Sequence, residues 1–269
     1  MRPLPGKGGS SLMSIPVLET RELSIRFGGH LAVAGVSAAF RAGTLTAIVG
    51  PNGAGKTTYF NLISGQLPAS AGSVLLAGRN ITALKAPARA RLGLGRAFQL
   101  TNLFPQLSVH ENVRLAVQAK DGGGGNIASR WTRRTDWIDR ADRFLAAADL
   151  ADKRNLRAAT LPHSDKRKLE VAIMMALEPH VFMFDEPTAG MSVGDVPVIL
   201  DLIRQLKAEG SKTILLVEHK MDVVRSLADR IIVLHNGRLV ADGAPAEVIG
   251  SAIVQEAYLG IAAGSAKHG

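Results

Sequence analysis

With 269 residues, 46% of them hydrophobic and 20% charged, the chain has the makeup of a folded domain with one sizeable core, which excludes a disordered polyelectrolyte. The absence of cysteine rules out disulfides and thiolate metal sites and fits a reducing compartment, and no run approaches the ~18 apolar residues of a bilayer span. The net charge of +9 suits an acidic partner such as nucleotide, nucleic acid or anionic lipid, although charge alone fits a generic basic surface better.

The opening "MRPLPGKGGSSLMS" holds basic residues without an apolar segment, so residues 1–14 read as a flexible leader rather than a secretory signal, with Met13 an alternative start. Residues 17–49 read as strands, with a turn at Gly28-Gly29 and a short apolar run, "TLTAIV", that ends in glycine. A helix is predicted over 56–64, stopped by Gly65, and "GSVLLAG" (72–78) is another strand. From about Leu100 to Leu161 the pattern is helical, broken by "DGGGGN" (121–126). Over 131–150 the spacing places Trp131, Ile138, Ala141, Leu145 and Ala148 near one helical face.

The last third alternates strands at 181–185 and 213–218 with helices near 195–209 and 221–229. It then closes with "RIIVLHNGRLVADG", a hairpin turning at Asn236-Gly237. Continuous apolar strands alternating with helices imply an α/β fold with a parallel sheet covered on both faces. There is no internal repeat.

"GPNGAGKTT" fits the phosphate-loop pattern G-x-x-x-x-G-K-[ST], with Gly50, Gly55, Lys56 and Thr57 at its fixed places and Pro51, Asn52, Gly53, Ala54 and Thr58 completing the stretch. Glycines let successive amides face an anion, Lys56 adds a full positive charge, and the Thr57 hydroxyl is a Mg²⁺ ligand. An apolar strand before the loop and a helix after it supply the context such a loop needs. The pattern implies nucleoside triphosphate binding. "VFMFDE" (181–186) is an apolar strand ending in two acids. Asp185 suits Mg²⁺ coordination through water, and Glu186 suits orienting or deprotonating the attacking water. His110-Glu111 and Glu218-His219 lack a second histidine at metal-binding spacing, so no zinc-hydrolase pattern competes.

With these motifs in order, the chain resembles the ATP-binding subunits of ABC transporters over about Val17 to Gly260. The resemblance implies a P-loop NTPase fold with a mostly parallel core sheet, an antiparallel β subdomain and a helical subdomain over about 100–165, all within a nucleotide-binding domain at 15–260 followed by a flexible tail at 261–269. It implies ATP and Mg²⁺ as cofactors. Phe27 stands where an aromatic stacks on adenine, Gln99 where a glutamine senses Mg²⁺ and the γ-phosphate, and His219 where a switch histidine contacts the γ-phosphate. "FGGHLAV", "FQLTNLFPQLSVHENV", "EPTAGMS" and "EAYLG" look most like the ATPase subunits of branched-chain amino-acid importers, a group that also includes importers of urea and other small solutes.

One stretch departs from the family. The signature L-S-G-G-Q, which clamps the γ-phosphate of the partner subunit's ATP, reads Leu161, Pro162, His163, Ser164, Asp165 here. Pro162 brings neither hydroxyl nor N–H, Ser164 adds bulk where glycine allowed close approach, and Asp165 is expected to repel the phosphate. Ser192 also replaces an aspartate common after the catalytic glutamate. The resemblance therefore implies an ATPase dimer with a second ABC ATPase subunit: a homodimer would carry two impaired sites, whereas a heterodimer, the preferred reading, would carry one sound site and one degenerate one. It also implies docking on membrane permease subunits, served by a solute-binding protein, at the cytoplasmic face of the inner membrane, with no nucleic acid partner. Two alternatives remain at this point: a soluble ABC ATPase acting on nucleic acid or an assembly scaffold, and a regulatory subunit that binds nucleotide without hydrolysing it.

Overall fold

The computed structural model describes residues 17–97, 103–122 and 127–251, with side chains of the second long helix described from residue 135 onward. The leader at 1–14, the tail at 261–269 and Gln99 lie outside the described residues, as does Trp131's side chain.

The elements run β1 (Leu18–Phe27), β2 (His30–Phe40), β3 (Leu45–Val49), α1 (Lys56–Ser64), β4 (Ala71–Leu76), β5 (Arg79–Asn80), α2 (Ala86–Arg91), β6 (Leu94–Ala97), α3 (Val109–Lys120), α4 (Ile127–Ala147) and α5 (His163–Leu177). They continue with β7 (Val181–Asp185), α6 (Val196–Ala208), β8 (Thr213–Val217), α7 (Met221–Leu227), β9 (Arg230–His235), β10 (Arg238–Gly243) and α8 (Pro245–Ile249). One sheet is antiparallel, in the order β2-β1-β4-β5; the other has the order β10-β9-β3-β8-β7-β6 and is parallel except at β9–β10.

The apolar runs earn their place in the middle of the parallel sheet because both faces are covered. In β7, Phe182 and Phe184 face the helices α3, α4, α5 and α6, whereas Val181 and Met183 face α1 and the antiparallel sheet. β8 does the same, with Ile214 and Leu216 on one side and Leu215 and Val217 on the other. Each such side chain contributes ~1.5–3 kcal/mol by leaving water, so a polar residue at any of them would split a layer.

Registers align the strand ends. Ile48 of β3 pairs with Val217 of β8, and Val217 pairs with Asp185 of β7. The loops after these three strands therefore leave the same edge of the sheet side by side, where ligands of open α/β sheets bind.

Two expectations need correction. On α4 it is Trp137, not Ile138, that enters the core with Ala141, Leu145 and Ala148. The indole Nε1 donates to Asp121 Oδ2 at 2.8 Å, which fixes the helix's rotation. Asp165 does not project toward a phosphate: it is buried and accepts from Lys153 Nζ at 2.8 Å, with Lys168 3.7 Å away. Leu161 is likewise in the core.

Candidate functional site

The phosphate loop is shaped by three left-handed glycines. Gly50 has φ 152° and passes so close to β9 that a Cβ there would stand 2.1 Å from the Leu234 carbonyl oxygen. Gly55, φ 96°, forms the N-cap of α1, and its Cβ would stand 2.6 Å from the Ala32 oxygen. Gly53, φ 79°, faces open space instead, so its requirement is purely conformational. The Asn236-Gly237 turn braces the loop from below, with Gly237 N–H donating to Ala54 O at 3.0 Å.

Lys56 sits at the loop's centre. Its Nζ donates to Gly50 O at 2.7 Å and Pro51 O at 2.9 Å, so the ammonium is held over the bowl that the amides line. Burial pushes its pKa below the usual lysine value, opposed by the charges of Glu186 and Asp185. The far end of α1 is closed by Arg89, which is buried and donates to the Leu62 and Ile63 carbonyls at 2.7 and 2.6 Å.

A cleft of about 360 Å³ opens above the loop, lined by Phe27, His30, Ala32, residues 52–58, Glu186 and His219. Phe27 ends β1 beside the Gly28 turn and is 48% exposed, an open aromatic face at the mouth of the cleft. The structure thus brings together the sequence-predicted Phe27, Asn52, Gly53, Ala54, Gly55, Lys56, Thr57, Thr58, Glu186 and His219. Gly50 and Pro51 bound the same loop through Lys56.

Glu186 and His219 meet directly: the His219 Nε2–H donates to Glu186 Oε1 at 2.6 Å. The Glu186 backbone is left-handed, φ 51°, and its N–H donates to Val217 O at 2.9 Å. A left-handed non-glycine residue costs ~1–2 kcal/mol and persists only where its surroundings hold it.

Asp185 is nearly buried and its Oδ2 accepts from Arg96 Nη2 at 2.8 Å. Burial raises its pKa above the ordinary carboxylate value, partly offset by the Arg96 guanidinium. Among the described residues, no group of three or more His, Cys, Asp or Glu side chains is placed to hold a metal. A hydroxyl and one carboxylate at a phosphate loop instead fit Mg²⁺, which takes few protein ligands and completes its shell with phosphate oxygens and water.

Sequence reasoning missed Arg96. It is the cation of β6, flanked by "GLG" and "AF", and it ties three elements together. Besides Asp185, it donates to Asn61 Oδ1 at 2.7 Å and Ser64 Oγ at 2.8 Å on α1 and lies over the Phe60 ring. A lone arginine in a strand of small and apolar residues was the available signal.

The signature stretch opens α5 and packs against the loop after β7. Pro162 is the N-cap of α5, so the amides of His163, Ser164 and Asp165 keep no helical acceptor, the usual state of a first turn. Ser164's hydroxyl bonds Asp195, which also accepts from Ser192 Oγ at 2.7 Å and from buried Lys168 at 2.8 Å. His163 stands against Gly190, its Nε2 3.4 Å from where a Cβ on that glycine would be.

The family model described as ABC transporter matches residues 33–189. The chain is 38% identical over 253 residues to the high-affinity branched-chain amino acid transport ATP-binding protein LivG of Salmonella typhimurium, covering 92% of this chain and 99% of that protein. It is 36% identical over 254 residues to BraF of Pseudomonas aeruginosa, a protein of the same description, again over 92% and 99% of the two chains. Among solved structures, the ADP conformation of an ATP-binding cassette of an ABC transporter superposes with a TM-score of 0.76 at 28% identity, covering 91% of this chain and 99% of that one. A nucleotide-free cassette superposes with a TM-score of 0.75 at 27% identity, over 90% and 98%. The chain belongs to the ABC transporter family, as one of its ATP-binding, ATP-hydrolysing subunits.

Proposed function

We propose that the chain energises the import of branched-chain amino acids or similar small polar solutes, working with a second ABC ATPase subunit on membrane permease subunits fed by a solute-binding protein. It acts at the cytoplasmic face of the inner membrane; among the described residues no helix is long and apolar enough to cross one. The observation that carries this reading is the near-complete coverage of the LivG and BraF proteins, together with the cleft they imply.

Within the cleft, adenine stacks on Phe27, and the loop amides of residues 52–58 and Lys56 hold the phosphates; Thr57, together with Asp185 and Gln99, would hold Mg²⁺. Bound Mg²⁺ would neutralise charge on the phosphates. Glu186 orients and deprotonates water, and His219, already 2.6 Å from it, turns to the γ-phosphate. This chain's own nucleotide site is the sound one. The site it completes for the partner is weak, because Pro162 removes a donor and Ser164 is turned to Asp195.

Reconstitution with permease subunits, a solute-binding protein and a partner ATPase of the branched-chain amino-acid importer type tests the reading. Uptake of radiolabelled leucine, isoleucine or valine is expected to depend on ATP and to vanish with Glu186→Gln in this chain. Uptake that survives Glu186→Gln would overturn the assignment of the sound site. Uptake of none of these solutes by an ATP-hydrolysing complex would overturn the solute class. Brisk hydrolysis by the isolated chain, unchanged by Pro162→Ser with Ser164→Gly, would remove the unequal pair.

A further inference from the structure

Glu218 is the last residue before His219 and is 3% exposed, yet neither phosphate binding nor water activation uses it. A buried carboxylate is costly unless its oxygens are fully bonded. Here they are. Oε1 accepts from the Thr188 hydroxyl at 2.5 Å, and Oε2 accepts from the backbone N–H groups of His219 at 2.7 Å and Lys220 at 3.3 Å.

The two ends of this staple belong to different loops. Thr188 follows Glu186 by two residues in the turn after β7, and Thr188 itself is 2% exposed. His219 and Lys220 open the turn after β8. The staple therefore sits directly behind the Glu186–His219 contact and runs alongside the backbone bond from Glu186 N–H to Val217 O. It also supplies what a left-handed Glu186 requires, a surrounding that over-determines the turn.

We infer that Glu218 is a positioning residue for hydrolysis: through Thr188 and the His219 amide it locks the two loops together so that Glu186 and His219 address the same γ-phosphate. Its hydrogen bonds run to the turns after β7 and β8, so nucleotide affinity is expected to be independent of it. The inference rests on the roles of Glu186 and His219, and Glu186→Gln is therefore the reference variant in its test.

The experiment uses the chain with its partner ATPase, comparing Glu218→Gln, Thr188→Val and the double variant with the parent. Three readouts separate positioning from general stability: steady-state turnover, affinity for a fluorescent ATP analogue, and Tm. Each single variant is expected to lower kcat by about tenfold to a hundredfold, the range in which small misplacements of catalytic groups act. The analogue's Kd is expected to stay within about threefold of the parent's, since only interactions made in the transition state are lost. The double variant is expected to be no slower than the worse single one, because both cut the same link. Thr188→Ser, which keeps the hydroxyl, is expected to restore most of the rate. Parent-like kcat in both Glu218→Gln and Thr188→Val overturns the inference, as does a loss of Kd in step with kcat. If Glu186→Gln itself turns over normally, the assignment of the site fails instead.

Discussion

Arg96 and Asp185 are held 2.8 Å apart by one buried hydrogen-bonded ion pair that joins β6 to the acid end of β7. Both side chains are almost fully covered, at 6% and 7% exposure, so neither charge has water to fall back on. Arg96→Met strands the Asp185 carboxylate, and breaking such a pair from one side costs about 3–5 kcal/mol. Urea or thermal unfolding should show that loss. Arg96→Met with Asp185→Asn should recover part of it. The pH dependence has a fixed sign. Asp185's folded pKa is raised, so the folded state holds its proton more tightly and loses stability as pH climbs from the ordinary 3.8 through the raised value. Without the Arg96 charge that loss should steepen.

Asp195 has the opposite sign. Hydrogen bonds from Lys168, Ser192 and Ser164 pull its pKa down to about 2 from an ordinary 3.8. Its contribution is complete above 3.8 and is lost as pH falls through that interval toward about 2. Asp195→Asn should flatten the acid limb of the stability curve there and leave the neutral region's slope unchanged.

Asp165→Asn separates two views of the signature stretch. A phosphate-repelling Asp165 would give faster turnover at the partner's site once neutralised. The ion pair with Lys153 predicts the reverse: stability drops by about 1–3 kcal/mol, since the buried Asp165 side chain loses its charged hydrogen bond to half-exposed Lys153. Turnover should not rise, and Tm measured beside ATPase rate distinguishes the two.

Gly50→Ala should abolish nucleotide binding, because a methyl group 2.1 Å from the Leu234 oxygen forces the loop off β9. Gly53→Ala meets nothing and pays only for its positive φ, so its affinity for an ATP analogue should fall far less. Equal losses in the two would mean that close approach to β9 is not what shapes the loop.

The parts of the fold that were legible in the sequence are those with a single strong periodicity. The strand at 181–185, the helix at 56–64 with its Gly65 stop and the Asn236-Gly237 turn all appear where the pattern placed them. β6 and α2 were not read, since four residues and six residues carry too little pattern to separate from a loop. On the face of α4 the pattern places Ala141 and Leu145 correctly and errs at Ile138, because Asp121, at the end of another helix, draws Trp137 inward instead. The phosphate loop, the acid pair and His219 could be read as a local string. Arg96, Glu218 and the Lys168–Asp195 link could not, because each works through a partner 27 or more residues away.

The left-handed backbone at Glu186 has a consequence for stability as well as for the reaction. Glycine would sit there without strain, so Glu186→Gly is expected to raise Tm while eliminating turnover, by an amount corresponding to about 1 kcal/mol. Inactivation at this position is then downhill in folding free energy. The turn thus holds its water-activating carboxylate at the expense of folding free energy.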